Sequence, residues 1–267
     1  MLTFPNCKIN LGLRILGKRP DGYHNLETIF YPIGIKDALE ITSSETVTFN
    51  RSGIRFENED NNLCVKAYNL LKADYPDIPP VDIHLLKCIP IGAGLGGGSS
   101  DAAAMLLMLN ERYKLDLSVG ELLGYALKLG SDCPFFILNR PCYGTGRGEQ
   151  LDPVEVDLSM YTLVIVNPGI HISTAEAFSR IMPSIPAISL CDIAGLPIGE
   201  WKYNMINDFE KPVFEAYPGI RDIKEKMYAH GALYASMSGS GSTVFGVFDK
   251  EKSLPVWKTE YFVRVVG

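Results

Sequence analysis

Pro90-Ile91-Gly92-Ala93-Gly94-Leu95-Gly96-Gly97-Gly98-Ser99-Ser100-Asp101-Ala102-Ala103-Ala104 is the stretch on which the reading of this chain turns. Glycine costs backbone entropy on folding, so such a cluster needs a reason, and close approach of the backbone to a ligand is one. Behind it an unbroken apolar run, Ala102 to Leu109, reads as a buried helix with Ser99 or Ser100 as its N-cap. A glycine loop feeding a helix N-terminus offers N–H groups and the positive end of the helix dipole. That is an anion site, and the common anion there is phosphate. A flexible connector is the plainer alternative, but a linker does not normally run straight into a strongly apolar helix.

Known phosphate loops narrow the choice. The chain holds no GxxxxGK[ST], so this is not a Walker A loop. Gly92, Gly94 and Gly97 spell G-x-G-x-x-G, and Glu111 stands about where a dinucleotide fold places its ribose-binding acid. Yet Glu111 follows a helix rather than ending a second strand, which disfavours that fold. A protein-kinase glycine loop joins two strands, whereas this one enters a helix.

Length and composition set the bounds. The 267 residues are 46% apolar, enough for a sizeable core in one large domain or two lobes. A net charge of −6 gives no sign of a nucleic-acid or membrane-surface protein. Cysteines 7, 64, 88, 133, 142 and 191 form no CxxC pair. They read as reduced, buried thiols of a cytoplasmic protein rather than a disulfide framework or zinc site. The opening MLTFPNCKIN, broken by Pro5, Asn6 and Lys8, does not read as a signal peptide, and no apolar run approaches membrane-span length.

Elsewhere the pattern alternates between strands and helices. Lys8, Asn10 and Gly12 share one face of a strand whose other face, Ile9, Leu11 and Leu13, enters the core. Pro20-Asp21-Gly22 is a turn into a second strand, Tyr23 to Ile33, forming a hairpin. On these residues alone, Lys8 and Asn10 fit an ordinary solvated face, and Tyr23-His24 a packing pair. Further β structure spans 37–57, and Glu59-Asp60-Asn61-Asn62 caps a helix from Leu63 to Ala73. Val81 to Cys88 is the strand leading to the glycine loop. Ser118 and Glu121 form a capping box for a helix ending at Gly130. Asp132, two residues before Pro134, either caps a short helix or offers a carboxylate at a turn; both readings stand. Tyr143 to Glu149 is a second glycine-rich turn, Tyr161 to Val166 a strand, and Ser173 to Glu176 opens a helix past Phe178. Residues 183–199 read as a loop, Asn207 to Glu210 opens a helical region, and Pro218 starts a helix ending at Gly231. Ser238-Gly239-Ser240-Gly241-Ser242 joins two strands, either as a plain hairpin connection or as an N–H nest for an anion.

Lys8-Ile9-Asn10-Leu11, the Pro90–Ser100 loop, Gly130-Ser131-Asp132-Cys133-Pro134 and Ser238-Gly239-Ser240-Gly241 come in a fixed order, and together they resemble the GHMP kinase superfamily. The resemblance runs from residue 8 to about 248. The Asp21-Gly22-Tyr23-His24 turn narrows it to the member acting on 4-diphosphocytidyl-2-C-methyl-D-erythritol. It implies an α+β, two-lobe GHMP kinase fold with the active site in the cleft between lobes. Residues 1–150 would form the N-terminal, ATP-binding domain and 151–267 the C-terminal, substrate domain. The implied activity is ATP-dependent phosphorylation of the substrate's 2-hydroxyl, a step of the non-mevalonate isoprenoid precursor pathway. Implied participants are ATP as co-substrate, Mg²⁺, and a small-molecule substrate with a cytidine diphosphate group. No protein-held metal, nucleic acid or membrane partner is implied, and the chain would act in the cytoplasm as a monomer or weak homodimer.

The resemblance also assigns residues. ATP-binding positions would be Pro90, Ile91, Gly92, Ala93, Gly94, Leu95, Gly96, Gly97, Gly98, Ser99 and Ser100, with Asn62 near the adenine. Asp132 would be the catalytic base and Lys8 its cationic partner. Tyr23 and Phe178 would sandwich the cytosine, with His24 bonding its edge. Asn10, Phe30 and Thr174 would line the substrate pocket, and Ser238, Gly239 and Ser240 would close over phosphates. Two positions depart from the family pattern. Asn6 stands where a proline is usual, and Asp101 where asparagine is frequent; an extra carboxylate near phosphates is unfavourable unless it points away or meets a helix N-terminus or Mg²⁺.

The chemistry suits these residue types. Phosphoryl transfer needs positioning and charge stabilisation more than covalent chemistry. A carboxylate takes the alcohol proton as the bond forms, and a lysine stabilises the transferring group. Stacking suits any base, and edge hydrogen bonds supply selectivity. A kinase for mevalonate, phosphomevalonate or homoserine is the alternative within the superfamily. A nucleotide-binding regulator without turnover is the alternative outside it.

Overall fold

The computed structural model describes residues 1–54, 62–173, 177, 178 and 180–267. Thr174 and the Glu59-Asp60-Asn61 part of the expected cap lie outside the described residues. The strands are β1 (Leu2–Thr3), β2 (Asn6–Lys18), β3 (His24–Lys36), β4 (Ala38–Ser43), β5 (Thr48–Gly53), β6 (Val81–Lys87), β7 (Cys142–Thr145), β8 (Gln150–Pro153), β9 (Tyr161–Asn167), β10 (Tyr234–Met237), β11 (Val244–Asp249) and β12 (Phe262–Val266). The chain divides into two compact units, neither contiguous. One comprises Met1–Cys7, Gly34–Ile91 and Gly96–Arg140; the other comprises Lys8–Ile33, Gly92–Leu95 and Pro141–Gly267.

In the first unit a sheet of order β1-β4-β6-β5 carries helices on one face. Strand β6 shows why: Val81, Ile83, Leu85 and Lys87 are buried and alternate with less buried residues, the period-two signature of a half-covered strand. Helix α1 (Leu63–Asp74) buries Cys64, Ala67, Tyr68 and Leu71, one helical stripe. Its N-cap is Asn62, whose Oδ1 accepts from Cys64 N at 2.8 Å. Helix α2 (Gly97–Tyr113) follows the glycine loop and is buried along most of its length. It starts earlier than the sequence suggests. Gly96, in the left-handed region at φ +69, is the N-cap, so Ser99 and Ser100 lie inside the first turn and do not cap it. Helix α3 (Val119–Leu129) has the expected capping box, Ser118 N donating to Glu121 Oε2 at 2.8 Å and Glu121 N to Ser118 Oγ at 3.3 Å. Helix α4 (Cys133–Leu138) follows Asp132. Leu39, Ile41, Leu71, Ile83, Met105 and Leu109 are among the residues that pack this core.

The second unit holds two further sheets, of order β2-β3-β7-β8 and β10-β11-β9-β12. The neighbouring β2 and β3 form the expected hairpin. The solvated-face reading of Lys8 and Asn10 is corrected: Cys7 to Leu13 are all buried, so both faces of β2 are covered there. Residues 183–199 are likewise not all loop. Helix α5 (Leu190–Ala194) is capped by Ser189, whose Oγ accepts from Asp192 N at 3.1 Å, and α6 (Ile198–Asn204) follows Pro197. Each is too short for a helical period to show through the prolines and glycines around it. Helices α7 (Glu210–Ala216) and α8 (Pro218–Ala229) pack with β9, β10 and β11 around Phe209, Ile220, Met227 and Phe248. The edge strand β12, antiparallel to β9, was not foreseen.

Candidate active site

In the second unit, Gly92–Leu95 lies against the turn between β10 and β11. Ser238 Oγ donates to Gly94 O at 2.8 Å, and Thr243 N to Ala93 O at 3.3 Å. Gly94 sits at φ +81, and a Cβ there would stand 1.8 Å from Ser238 O; a Cβ on Gly241 would stand 2.2 Å from Ala93 C. Real atoms do not approach so closely, so the two turns meet backbone on backbone and glycine is required at both positions. Asn207 secures the turn from below. Its Nδ2 donates to Met237 O at 2.9 Å and Gly239 O at 2.8 Å, while its Oδ1 accepts from Phe209 N at 3.0 Å.

The same junction holds Lys8. Its Nζ donates to Asn10 Oδ1 at 2.6 Å and Gly94 O at 2.9 Å, and lies 5.5 Å from the Phe30 ring centroid. Asn10 Nδ2 donates to Thr28 Oγ1 at 2.9 Å, which donates to Gly12 O at 2.6 Å; Asn10 N donates to Ser238 Oγ at 3.3 Å. Lys8 is 3% exposed and Asn10 1%, depths at which polar groups need partners such as these. A satisfied buried network of this kind rigidifies its surroundings. Lys8, Asn10, Phe30, Gly94, Ser238 and Gly239, drawn from separate stretches, are thus brought together, with Ser240 half-buried in the same turn.

The aromatic residues are arranged differently. His24 stacks on Phe178, centroids 4.9 Å apart and planes at 21°. Phe178 in turn meets Phe209 edge-on at 4.8 Å. Tyr23 is 54% exposed, with the Arg147 guanidinium 4.8 Å from its ring centroid. So the structure joins His24 to Phe178, where the resemblance would pair Phe178 with Tyr23 around a base. Asp21 shapes this turn by accepting from Tyr23 N at 3.1 Å, the main reason its carboxyl lies below the usual range, with Arg19 Nε also 3.1 Å away.

The first unit carries Asn62, the flanks Pro90-Ile91 and Gly96-Gly97-Gly98-Ser99-Ser100, and Asp132. The first amides of α2 lack partners within the helix by helical geometry, and the dipole adds positive potential there. Ser99 hydrogen-bonds the Cys133 thiol, whose pKa burial pushes up to about 12. Asp132 occupies the N-cap position of α4, but its side chain makes no capping hydrogen bond. The carboxylate is therefore not used to start that helix.

Both departures from the family pattern find partners. Asn139 Nδ2 donates to Asn6 Oδ1 at 2.9 Å. The Asp101 carboxylate accepts from Lys87 Nζ at 2.8 Å, and Lys87 also donates to Asp37. Asp37 Oδ1 accepts from Cys88 N at 2.5 Å and Ile89 N at 2.8 Å, tying the end of β6 to the cluster. A Cβ on Gly97 would meet Lys87 Nζ at 2.9 Å, so this ammonium lies beneath the first turn of α2. Burial raises the Asp101 pKa, opposed by Lys87 and reinforced by Asp37; its Oδ1 has no partner. Sequence reasoning singled out Asp101 but not its partners Lys87 and Asp37, placed Arg147 only within a glycine-rich turn, and missed Thr28 and His171, whose ring lies against Gly92. None belongs to a spaced motif. Asn207 was visible only as a helix opener. Among the described residues, no group of three or more His, Cys, Asp or Glu is placed to hold a metal ion, and no helix is long and apolar enough to cross a membrane.

Comparison with known proteins gives the family of the chain. The chain matches the GHMP kinases N terminal domain over residues 62–140 and the GHMP kinases C terminal domain over residues 194–256. A 4-diphosphocytidyl-2-C-methyl-D-erythritol kinase from Parabacteroides distasonis is 53% identical over 251 residues, 94% of this chain and 92% of its own length. One of the same name from Bacteroides thetaiotaomicron is 49% identical over 98% of each chain. A crystal structure of 4-(cytidine 5'-diphospho)-2C-methyl-D-erythritol kinase superposes with a TM-score of 0.76 at 33% identity, covering 92% of this chain and 90% of that one. The mevalonate kinase of Methanococcus jannaschii shares the fold, with a TM-score of 0.71 at 16% identity over 94% and 92% of the two chains. The chain belongs to the GHMP kinases, among the 4-diphosphocytidyl-2-C-methyl-D-erythritol kinases.

Proposed function

We propose that this chain transfers the γ-phosphoryl group of MgATP to the 2-hydroxyl of 4-diphosphocytidyl-2-C-methyl-D-erythritol. The observation that carries the substrate assignment is the 53% identity, across 94% of the chain, with a protein named as a kinase of that substrate. The mevalonate kinase likeness at 16% identity speaks for the fold alone. The loop from Pro90 to Ser100 receives the ATP phosphates, through backbone N–H groups and the start of α2, and Asn62 lies toward the adenine. The glycine-only contacts at Gly94 and Gly241 fit a cradle of backbone donors, which leaves no room for side chains there. Mg²⁺ enters with the nucleotide as part of the substrate and neutralises phosphate charge.

Asp132, at the start of α4, serves as the base for the acceptor hydroxyl. Lys8 stabilises the transferring group. Ser238, Gly239 and Ser240 close on phosphates, and Asn10, Phe30 and Thr174 line the acceptor pocket. Tyr23, His24 and Phe178 select the cytosine. Residues 1–150 supply most of the nucleotide side and 151–267 complete the substrate side. Six free thiols, four of them buried, fit a reducing compartment, and we place the enzyme in the cytoplasm.

The test is ADP release from ATP and Mg²⁺ that depends on the cytidyl alcohol, in the wild type and in Asp132→Asn. The variant is expected to lose about 100- to 10,000-fold in kcat while retaining its affinity for AMP-PNP. Full turnover in Asp132→Asn would remove the base assignment. Acceptor-independent ADP release in the wild type would remove the reaction.

A further inference from the structure

We propose that His171 is a further nucleotide-binding residue, its imidazole hydrogen-bonding a phosphate oxygen of ATP held on the glycine loop. The inference rests on the kinase reading above and adds a side chain to a site otherwise described through backbone groups. Were Gly92 to carry a Cβ, it would meet His171 Nδ1 at 3.2 Å and Cε1 at 3.4 Å, so the ring lies against the loop itself. Gly92 is at φ +66, within the run whose conformation suits close ligand approach.

The backbone carrying His171 is fixed to that loop. Ser242 Oγ donates to Ile170 O at 2.5 Å. Asn167 Nδ2 donates to Ser242 Oγ at 3.1 Å and Thr243 Oγ1 at 3.0 Å, and Asn167 Oδ1 accepts from Gly169 N at 2.9 Å. Thr243 N donates to Ala93 O at 3.3 Å, one residue from Gly92. Asn167, Ser242 and Thr243 are all buried, so this strut is not a surface accident. The imidazole itself is exposed and makes no hydrogen bond or ion pair with the described residues. A ring carried on backbone held beside the glycine loop, and without a hydrogen-bond partner among the described residues, is suited to a phosphate oxygen. Hydrogen bonds to charged groups are among the stronger ones proteins make.

The phosphate could belong to ATP or to the diphosphate of the acceptor. The contact with Gly92 favours ATP, and the experiment separates the two. AMP-PNP binding is measured by calorimetry on the wild type, His171→Ala and His171→Gln, alongside KM for each substrate. His171→Ala is expected to weaken AMP-PNP about tenfold, with His171→Gln, which keeps an N–H donor, recovering much of the loss. KM for the cytidyl substrate is expected to stay within about twofold of wild type. Unchanged AMP-PNP affinity in His171→Ala would overturn the proposal. So would a rise confined to the cytidyl KM, or parallel losses for both substrates with no recovery in His171→Gln. Binding is read without turnover, so failure of the kinase reading would show separately, as absent ADP release from a wild type that still binds AMP-PNP.

Discussion

The glycine turns and the aromatic residues of the second unit are built on opposite plans. At Gly94, Ser238 and Gly241, backbone meets backbone at distances no side chain could share, and Lys8, Asn10, Thr28 and Asn207 hold the junction with buried hydrogen bonds. At the aromatic residues, His24 stacks on Phe178 and the Arg147 guanidinium lies over Tyr23. The first arrangement is complete before any ligand arrives. In the second, His24 covers a face of Phe178, and Tyr23 is engaged by a guanidinium. On the proposed reading, a base stacked on the face of Phe178 that His24 covers would displace His24 from that position. Under the proposed function, the difference teaches that the phosphate side would be preorganised, whereas the base side would exchange one set of ring contacts for another on binding.

The hardest blow to this comparison falls on the glycines. Gly94→Ala forces the turns apart and is expected to cost at least about 100-fold in kcat/KM for ATP, because displacements near 1 Å have such effects. A near-wild-type value would show that the junction yields easily and is not preorganised. On the aromatic side, Phe178→Ala is expected to raise KM for the cytidyl substrate about tenfold and leave KM for ATP unchanged, the loss of one stacked base. Equal changes in both would deny the ring a base-specific role.

Asp101 sharpens the picture at the helix end of the loop. Burial holds its carboxyl above the usual range, so the folded protein keeps that proton more tightly than the unfolded chain. The associated stability is complete below the ordinary aspartate value of about 3.9 and is lost as pH rises through the higher folded value. Asp101→Asn, neutral throughout, should therefore gain on the wild type as pH rises from about 4 to about 7, the span between the ordinary and the folded value, by a few degrees in Tm. A Tm difference independent of pH would contradict this. The smallest effect belongs to Arg147→Gln. Releasing Tyr23 from an exposed cation–π contact is expected to lower KM for the cytidyl substrate by no more than about fivefold; a raised KM would mean that Arg147 itself serves the substrate.

Much of this was legible in the sequence because it rests on local chemistry. The glycine loop, the Ser238–Ser242 turn, the Asn62 cap and the Ser118 capping box depend on neighbours a few residues away. Lys8 and Asn10 were harder: alternation revealed their shared face, but only tertiary layering decides whether that face meets water. Asn207, Arg147 and His171 act through contacts with partners 30, 124 and 79 positions away in sequence, and no spacing rule announces such pairs. The early start of α2 escaped because Gly96, rather than a serine, begins it. The short helices α5 and α6 escaped because a turn or two shows no period.

The most direct measurement is a comparison of acceptors under one set of conditions. ADP release is followed with ATP, Mg²⁺ and, in parallel, 4-diphosphocytidyl-2-C-methyl-D-erythritol, the same alcohol phosphate without its cytidine, mevalonate and homoserine. The account predicts turnover with the cytidyl compound alone, since the ring side of the site recognises the base and the glycine side serves any phosphoryl donor of this shape. Comparable turnover with mevalonate, homoserine or the truncated alcohol would contradict it, leaving the fold and the glycine loop but removing the cytosine from their explanation.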